Sequence, residues 1–296
     1  MLRRRRPSQY LRPFLATLGF LFLAAFAVAV LLPFCWNLAV SFKPLDEVQA
    51  DHWVPKSWKT FQWENYLYVL GLRTPPGEFS SKAFNIQFAR WYFNSFFIAA
   101  WTTLLQITTC AFAAFAFSRL VWRGRDKVFF LYLATMMIPG LVTSIPNFAL
   151  MFKLGLYNTY AGLIIPGAFS AFGTFLLRQF MLGIPKSLDE AAEMDGASPF
   201  QVLWDVVLPL TRPGLITLAI FTFMGSWGSF FWPLIMIKDE YLRTLPIGML
   251  AFNTNYVQQT NLLMAGTMLT MLPVLVLFIV LQRYLVEGIQ LGAVKG

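Results

Sequence analysis

The stretch Trp91-Tyr-Phe-Asn-Ser-Phe-Phe-Ile-Ala-Ala-Trp-Thr-Thr-Leu-Leu-Gln-Ile-Thr-Thr-Cys-Ala-Phe-Ala-Ala-Phe-Ala-Phe-Ser118 contains no charged or histidine side chain, although Arg90 and Arg119 bracket it. About 20 predominantly apolar residues suffice to cross a bilayer as a helix, so this stretch reads as a membrane span. Further charge-free windows of the same kind lie between Arg12 and Lys43, Lys127 and Lys153, Lys153 and Arg178, Arg212 and Lys238, and Arg243 and Arg283. The sequence therefore predicts an all-α integral membrane protein with six transmembrane helices in a single domain over 1–296. The spans fall at 14–40, 91–118, 128–150, 157–177, 213–237 and 262–282, and a loop runs over 183–212. Only Lys153 and the turn-like Gly155-Leu-Tyr-Asn158 divide the third window from the fourth, yet together they are too long for one span.

Composition agrees with a bilayer as the solvent. With 57% hydrophobic, 12% charged and 17% aromatic residues, the chain lies far outside ordinary soluble domains. Its net charge of +9 comes from basic residues at the edges of apolar windows, not from one polar face, which speaks for membrane lipid and against nucleic acid as a partner. Cys35 and Cys110 both sit inside apolar windows, where a thiol behaves as a small hydrophobe. His52 has no second His or Cys with which to hold a metal. A phosphate-binding loop ending in Gly-Lys-Ser/Thr, a Gly-x-Ser-x-Gly elbow and a His-Glu-x-x-His pair are all missing from the sequence. Catalytic residues, a metal and a cofactor are therefore not assigned to this chain, and it is not read as an enzyme.

Orientation follows from basic residues in short loops. Arg3 to Arg6 and Arg12 precede the first span, and Arg119, Arg123, Arg125 and Lys127 fill the turn after the second, so both regions read as cytoplasmic. Alternate counting puts both termini and the loop around Glu190 on that side. An Arg-rich start followed by an apolar run also describes a secretory signal, but the run from Phe14 to Val40 is longer than a usual signal core and reads as an uncleaved anchor. Trp53, Trp58, Trp63, Tyr66 and Tyr68 in the outer loop suit chain lying at the interface.

Apart from Lys153 at a turn, the span interiors lack ionisable residues. Ion-coupled carriers usually keep such groups at depth, which counts against that class. The spans instead carry neutral polar and aromatic groups, including Asn94, Ser95, Thr102, Thr103, Gln106, Thr108, Thr109, Asn147, Ser226, Trp227 and Ser229. Asn94, Ser226, Trp227 and Ser229 are the candidates for a translocation path, since such groups trade hydrogen bonds with a hydroxyl-rich solute. Hydrogen bonding between helices remains the alternative for each. Pro33, Pro139, Pro146, Pro166, Pro233 and Pro273 would kink or interrupt the spans.

The loop beginning Ser187-Leu-Asp-Glu190 has the form of a capping box, with Ser187 as N-cap and Glu190 reaching back. Ala191, Ala192 and Gly196 give the resulting helix small side chains. Ser198-Pro199 then opens a second helical piece in which Phe200, Leu203, Trp204 and Val207 recur at helical spacing, and Pro209 should end it.

The spelling Glu190-Ala-Ala, three residues, Gly196, nine residues, Val206-x-Leu208-Pro209 resembles the EAA loop of ABC importer permeases, with Val where Ile is commoner. Asn94-Ser95, Trp232-Pro233-Leu234, Leu242-Arg-Thr-Leu-Pro246 and Gln282-Arg-Tyr-Leu-Val-Glu-Gly288 running on to Gly292-Ala-Val-Lys-Gly296 are similar to MalG-type permeases of carbohydrate importers. The chain reads Trp227-Gly228-Ser229 where that family often has Asn and an acidic residue after the tryptophan. The resemblance implies the type I ABC importer permease fold. It implies a MalF-like second permease, two copies of an ABC ATPase that bind ATP and Mg, and an extracytoplasmic sugar-binding protein as partners. On that resemblance Glu190, Ala191, Ala192, Asp195, Gly196, Leu208 and Pro209 would couple to the ATPase, and Gly292, Ala293, Val294, Lys295 and Gly296 would reach its dimer interface. Import of glycerol phosphate or a polyol by the same architecture stays open as the near alternative. A self-sufficient channel or carrier is the distant one.

Overall fold

The computed structural model describes residues 8–49, 60–74, 87–252 and 259–293. Arg3 to Arg6, His52, Trp53, Trp58, Val294, Lys295 and Gly296 lie outside the described residues. Among the described residues the structure is helical with no strand. The helices are α1 (Ser8–Ser41), α2 (Leu45–Gln49), α3 (Glu64–Val69), α4 (Phe88–Ser118), α5 (Arg125–Ala134), α6 (Gly140–Lys153), α7 (Tyr160–Ile164) and α8 (Ala171–Leu182). They continue with α9 (Ser187–Met194), α10 (Pro199–Gln201), α11 (Leu208–Leu210), α12 (Arg212–Trp227), α13 (Phe231–Met236), α14 (Leu245–Gly248) and α15 (Thr260–Ala293).

Three helices are long and apolar enough to cross a membrane unbroken: Pro13–Ser41, Phe88–Ser118 and Thr260–Gln282. The other apolar segments are bent pairs of helices. Arg125–Met137 meets Gly140–Lys153 at 99°, and Tyr160–Ala168 meets Ala171–Leu182 at 43°. Proline explains the first bend, where Ile138 before Pro139 is extended; the second falls at the extended Phe169 and Ser170, while Ile165 before Pro166 stays helical. Pro139 is the N-cap of α6, and Pro166 sits in the 3-10 turn Ile165–Ala168 that follows α7. A proline ring denies its helix a donor and pushes the preceding residue out of helical geometry. Pro33 and Pro273, by contrast, lie inside continuous helices.

By contacts the chain forms two compact units, one of residues 1–84 with 252–269 and one of residues 85–251 with 270–296. In the first, α1 exposes large apolar side chains from Phe14 to Leu38, as a helix surrounded by lipid should. Buried Asn65 donates from Nδ2 to the carbonyls of Ser41 and Lys43, both at 2.9 Å, and so ties α3 to the end of α1. Trp63 is exposed but its ring packs on Phe42 and Phe61.

The second unit is built around α4, against which α8 and α12 pack. Close approach depends on small residues there. A Cβ on Gly173 of α8 would come within 2.8 Å of the Cys110 sulfur and 3.0 Å of Leu218, so a larger residue enters only if those side chains shift. The turn between α6 and α7 is braced by Asn158, whose Oδ1 accepts from the amides of Lys238 and Asp239 at 2.9 Å each. Asn158 takes a positive φ of 58°, a conformation that Asn tolerates better than most residues.

Candidate functional site: a helical loop and a cavity

Helix α9 is short and two-faced. Asp189 and Ala192 turn inward, while Glu190, Ala191, Glu193 and Asp195 are exposed and Met194 is 88% exposed. Its end explains the spacing from the alanine pair to Gly196. The amide of Gly196 donates to the Glu193 carbonyl at 3.0 Å and that of Ala197 to the Ala192 carbonyl at 2.9 Å, which together form a Schellman cap. Gly196 has φ +84°, where a side chain is strained, yet a Cβ there would meet no atom within 4 Å. The glycine therefore closes the helix and leaves the surface beyond it open.

The expected cap at Ser187 is not formed. Lys186 is the N-cap of α9 and no side chain caps the helix, because Ser187 already lies inside it. The capping box occurs instead at Ser198 and Gln201, with Pro199 in the first turn. The reciprocal pattern of a hydroxyl residue and a Glu or Gln three positions on occurs at both sites, and only the second has Ser in the extended conformation that an N-cap requires. Pro209 does not end the helical run either. Val202–Val207 widens into a π-turn, α11 continues through Pro209 to Leu210, and the 77° bend falls at Thr211. A wider turn ahead of Pro209 relieves the clash between its ring and the carbonyl four residues earlier.

The underside of the loop is part of the membrane core. Val202, Leu203 and Val207 are buried in one cluster with Cys110, Ala111, Ala114 and Phe115 of α4, Leu177 and Met181 of α8, and Leu218 of α12. Ala192, Ala197 and Leu208 pack against it. Phe200 and Trp204 remain largely exposed and lie beside each other, and Phe200 stacks on Phe112 of α4.

Arg119, at the end of α4, fastens α9 to this core. Its guanidinium lies 3.0 Å from Asp189, with the side chains only 4% and 13% exposed. The same group donates to the carbonyls of Met181 at 2.7 Å and Ile184 at 3.1 Å. Three helix ends thus share one arginine. In the sequence Arg119 counted as a loop charge, and the pairing with a residue 70 positions away has no signature in local spacing.

A cavity of about 450 Å³ opens in the same unit, lined by one face of α4 (Ser95, Ile98, Thr102, Gln106) and one of α12 and its end (Leu218, Thr222, Gly225, Ser226, Ser229). Each set repeats every three or four residues, the spacing of one helix face. Asn147, Phe172, Phe221, Trp232 and Thr244 complete much of the wall, which carries no charged side chain.

Of the path candidates, Ser226 and Ser229 line the cavity and Asn94 and Trp227 do not. Asn94 is buried and donates to the carbonyls of Tyr241 at 2.8 Å and Arg243 at 2.9 Å while accepting from the Tyr160 hydroxyl at 2.7 Å. Its amide is fully engaged in holding the segment before α14. Trp227 is buried, stacks on Phe223, and donates to the Thr270 carbonyl at 3.1 Å. Both make the hydrogen bonds between segments that the interhelical alternative describes. Thr222 and Thr244 escaped the sequence reading, although Thr222 lies one turn before Ser226 on the same helix face. Leu208 and Pro209 are half-buried, and Gly292 and Ala293 close α15.

The model of a family described as the binding-protein-dependent transport system inner membrane component matches residues 106–290. An arabinooligosaccharides transport system permease protein of Halalkalibacterium halodurans, AraQ, is 33% identical over 99% of this chain and 100% of its own. GanQ of Bacillus subtilis, a galactooligosaccharides transport system permease protein, is 31% identical over 94% of this chain and 95% of its own. An sn-glycerol-3-phosphate transport system permease protein of Shigella flexneri, UgpE, is 37% identical over 68% of this chain and 73% of its own. In fold, the chain is similar to one in the crystal structure of a bacterial ABC transporter involved in alginate import. The TM-score is 0.78 at 24% identity, covering 96% of this chain and 99% of that one. The exposed loop helix, the uncharged helical core and these matches lead to one assignment: the chain belongs to the binding-protein-dependent transport system inner membrane components, a family of permease subunits and not of enzymes.

Proposed function

We propose that this chain is the permease subunit of an ATP-driven carbohydrate importer of a bacterial or archaeal cytoplasmic membrane. It forms half of the translocation path beside a MalF-like second permease. Two copies of an ABC ATPase bind ATP and Mg beneath it, and an extracytoplasmic binding protein delivers the sugar. The observation that carries the reading is α9, which offers an exposed acidic and small-residue face while its other face is clamped to α4 through Arg119. A helix fixed in this way passes a push at its outer face to the spans, because packed cores move as bodies. Glu190, Ala191, Asp195 and Gly196 form the contact face, Ala192 and Leu208 anchor it, and Pro209 shapes the turn into α12. The tail from Gly292 to Gly296 extends the contact towards the ATPase. The names of AraQ and GanQ support oligosaccharide as the cargo, and that of UgpE keeps glycerol phosphate as the alternative.

The test is ATPase activity of the chain co-purified with its partner subunits in nanodiscs, with binding protein and either arabinotriose, galactotriose or glycerol 3-phosphate. Stimulation by a neutral oligosaccharide that disappears in Gly196→Asp establishes the coupled importer and its cargo class. Stimulation by glycerol 3-phosphate alone moves the cargo to the alternative, and solute flux without any ATPase overturns the coupling.

A further inference from the structure

The turn from Arg119 to Lys127, between α4 and α5, carries four basic residues that folding treats in two ways. Two are engaged within the chain. Arg119 clamps α9, and Arg125 donates to the Leu120 carbonyl and the Asp126 carboxylate at 3.2 Å each. Asp126, the one acidic residue of the turn, is shared with Arg178 of α8, whose guanidinium lies 3.6 Å away and above the Phe129 ring. Arg123 and Lys127 are exposed, and among the described residues their side chains make no hydrogen bond or ion pair. Exposed apolar groups stand next to these two cations. Val121 is 91% exposed and Trp122 38%, while Phe130 and Leu131, one turn on from Lys127 along the same face of α5, are 72% and 67% exposed.

We infer that this turn binds an anionic phospholipid, with the charged headgroup between Arg123 and Lys127 and the acyl chains along Phe130 and Leu131. Water tolerates such open apolar surface poorly, whereas the edge of a bilayer takes aromatic rings at headgroup level, alkyl stems against lipid chains and cations among phosphates. The charge decides the class of lipid. A zwitterionic headgroup brings a cation of its own, and the turn has no carboxylate left to receive it, because Asp126 is already paired. An anionic headgroup finds two free donors and, at the start of α5, the positive end of a helix dipole. The orientation expected from the basic loops puts this turn at the cytoplasmic leaflet, the side on which anionic lipid concentrates. The inference goes beyond the transport reading and is independent of the cargo.

The experiment is photolabelling of the full transporter in phosphatidylcholine nanodiscs. The probe is phosphatidylglycerol or phosphatidylcholine with a diazirine near the head end of its acyl chains, and the labelled residues are mapped by mass spectrometry. Phosphatidylglycerol should label residues 120–131 at least about fivefold above phosphatidylcholine, the worth of one Lys or Arg beside an anionic surface. Arg123→Gln and Lys127→Gln should each lower that ratio by about fivefold, and the pair together should abolish it. Arg123→Lys combined with Lys127→Arg should keep it. Labelling along α1 from Phe14 to Leu38 is the control and should not respond to these substitutions. Equal labelling by the two probes in the wild type overturns the inference. So does a turn that neither probe labels in the full transporter, which would assign the surface to a contact with another subunit. A preference that survives in the double glutamine variant assigns the selectivity to other groups and overturns the site as well. If the glutamine variants lose labelling along α1 too, folding has failed and the charge-swapped variant decides: a kept preference supports the site and a lost one overturns it.

Discussion

The helical loop of α9 to α11 and the cavity between α4 and α12 lie in one unit, and they are written into the chain in opposite ways. The loop is a continuous string whose landmarks sit at fixed short distances, because each serves a local rule: a helix face, a Schellman cap, a proline. The cavity is assembled from residues spread over 95–244, each of an ordinary type for a membrane helix. A local rule leaves a mark that spacing can detect, whereas a wall formed by folding leaves only scattered serines, threonines and glycines. The two also differ in charge. The loop concentrates acidic residues on an exposed face, and the cavity excludes them.

The largest effect should come from the open side of the loop. Gly196→Asp places a side chain where no atom of the described residues lies within 4 Å of its Cβ, at a backbone cost of about 1–2 kcal/mol. The protein should insert and fold, yet transport should be abolished, as measured by uptake alongside ATPase co-purification. Retained transport would break the distinction between a face that contacts a partner and a face that packs.

The clamp beneath the loop comes next. Asp189→Ala leaves the Arg119 guanidinium buried without its counter-charge, a change that costs about 3–5 kcal/mol in buried pairs. Thermal unfolding in detergent should read this loss. Asp189→Asn should be milder and should lower the sugar carried per ATP hydrolysed. An unchanged ratio would mean that α9 transmits through apolar packing alone.

Asn94 and Ser226 sharpen the comparison within the cavity region. Asn94→Ala removes a donor from the Tyr241 carbonyl, which keeps Arg90, and from the half-buried Arg243 carbonyl, and should destabilise by about 1 kcal/mol without changing preference among sugars. Ser226→Ala should leave unfolding nearly unchanged and reduce uptake by a factor of about two to ten.

The smallest effect separates two serines of similar sequence context. Ser198→Ala removes an N-cap and should cost about 1 kcal/mol. Ser187→Ala should stay within about 0.5 kcal/mol, since Ser187 is exposed and caps nothing. Equal losses in thermal unfolding would return the capping box to Ser187.

Much of the fold was legible in the sequence because lipid imposes a simple condition: a span must be long, apolar and internally hydrogen-bonded. Windows free of charge marked α1, α4 and α15 as spans, although Pro33 and Pro273, expected to kink or interrupt theirs, lie inside continuous helices, and Gly155 to Asn158 marked the turn after α6. The bends of 99° and 77° were less legible. Proline announces that a helix is disturbed, but neighbouring packing decides where it breaks, so Pro209 was passed and Thr211 became the corner. The candidate site was legible in the same proportion. Gly196 could be found from the string around it, while the exclusion of Asn94 and Trp227 from the cavity depended on carbonyls contributed by residues from Tyr241 to Thr270.

By itself the sequence determined that the chain lives in a membrane, that its span interiors lack charged side chains apart from Lys153 at a turn, and that one polar loop carries a short helix with small side chains. These follow from composition and from spacing within a few residues, where the physics is local. Only the tertiary structure decided that Arg119 joins α9 to α4, and that Thr102, Thr222 and Thr244 line one cavity. Both arrangements need groups 20 to 140 positions apart to meet, and pair energies at such separations depend on the packing that brings them together.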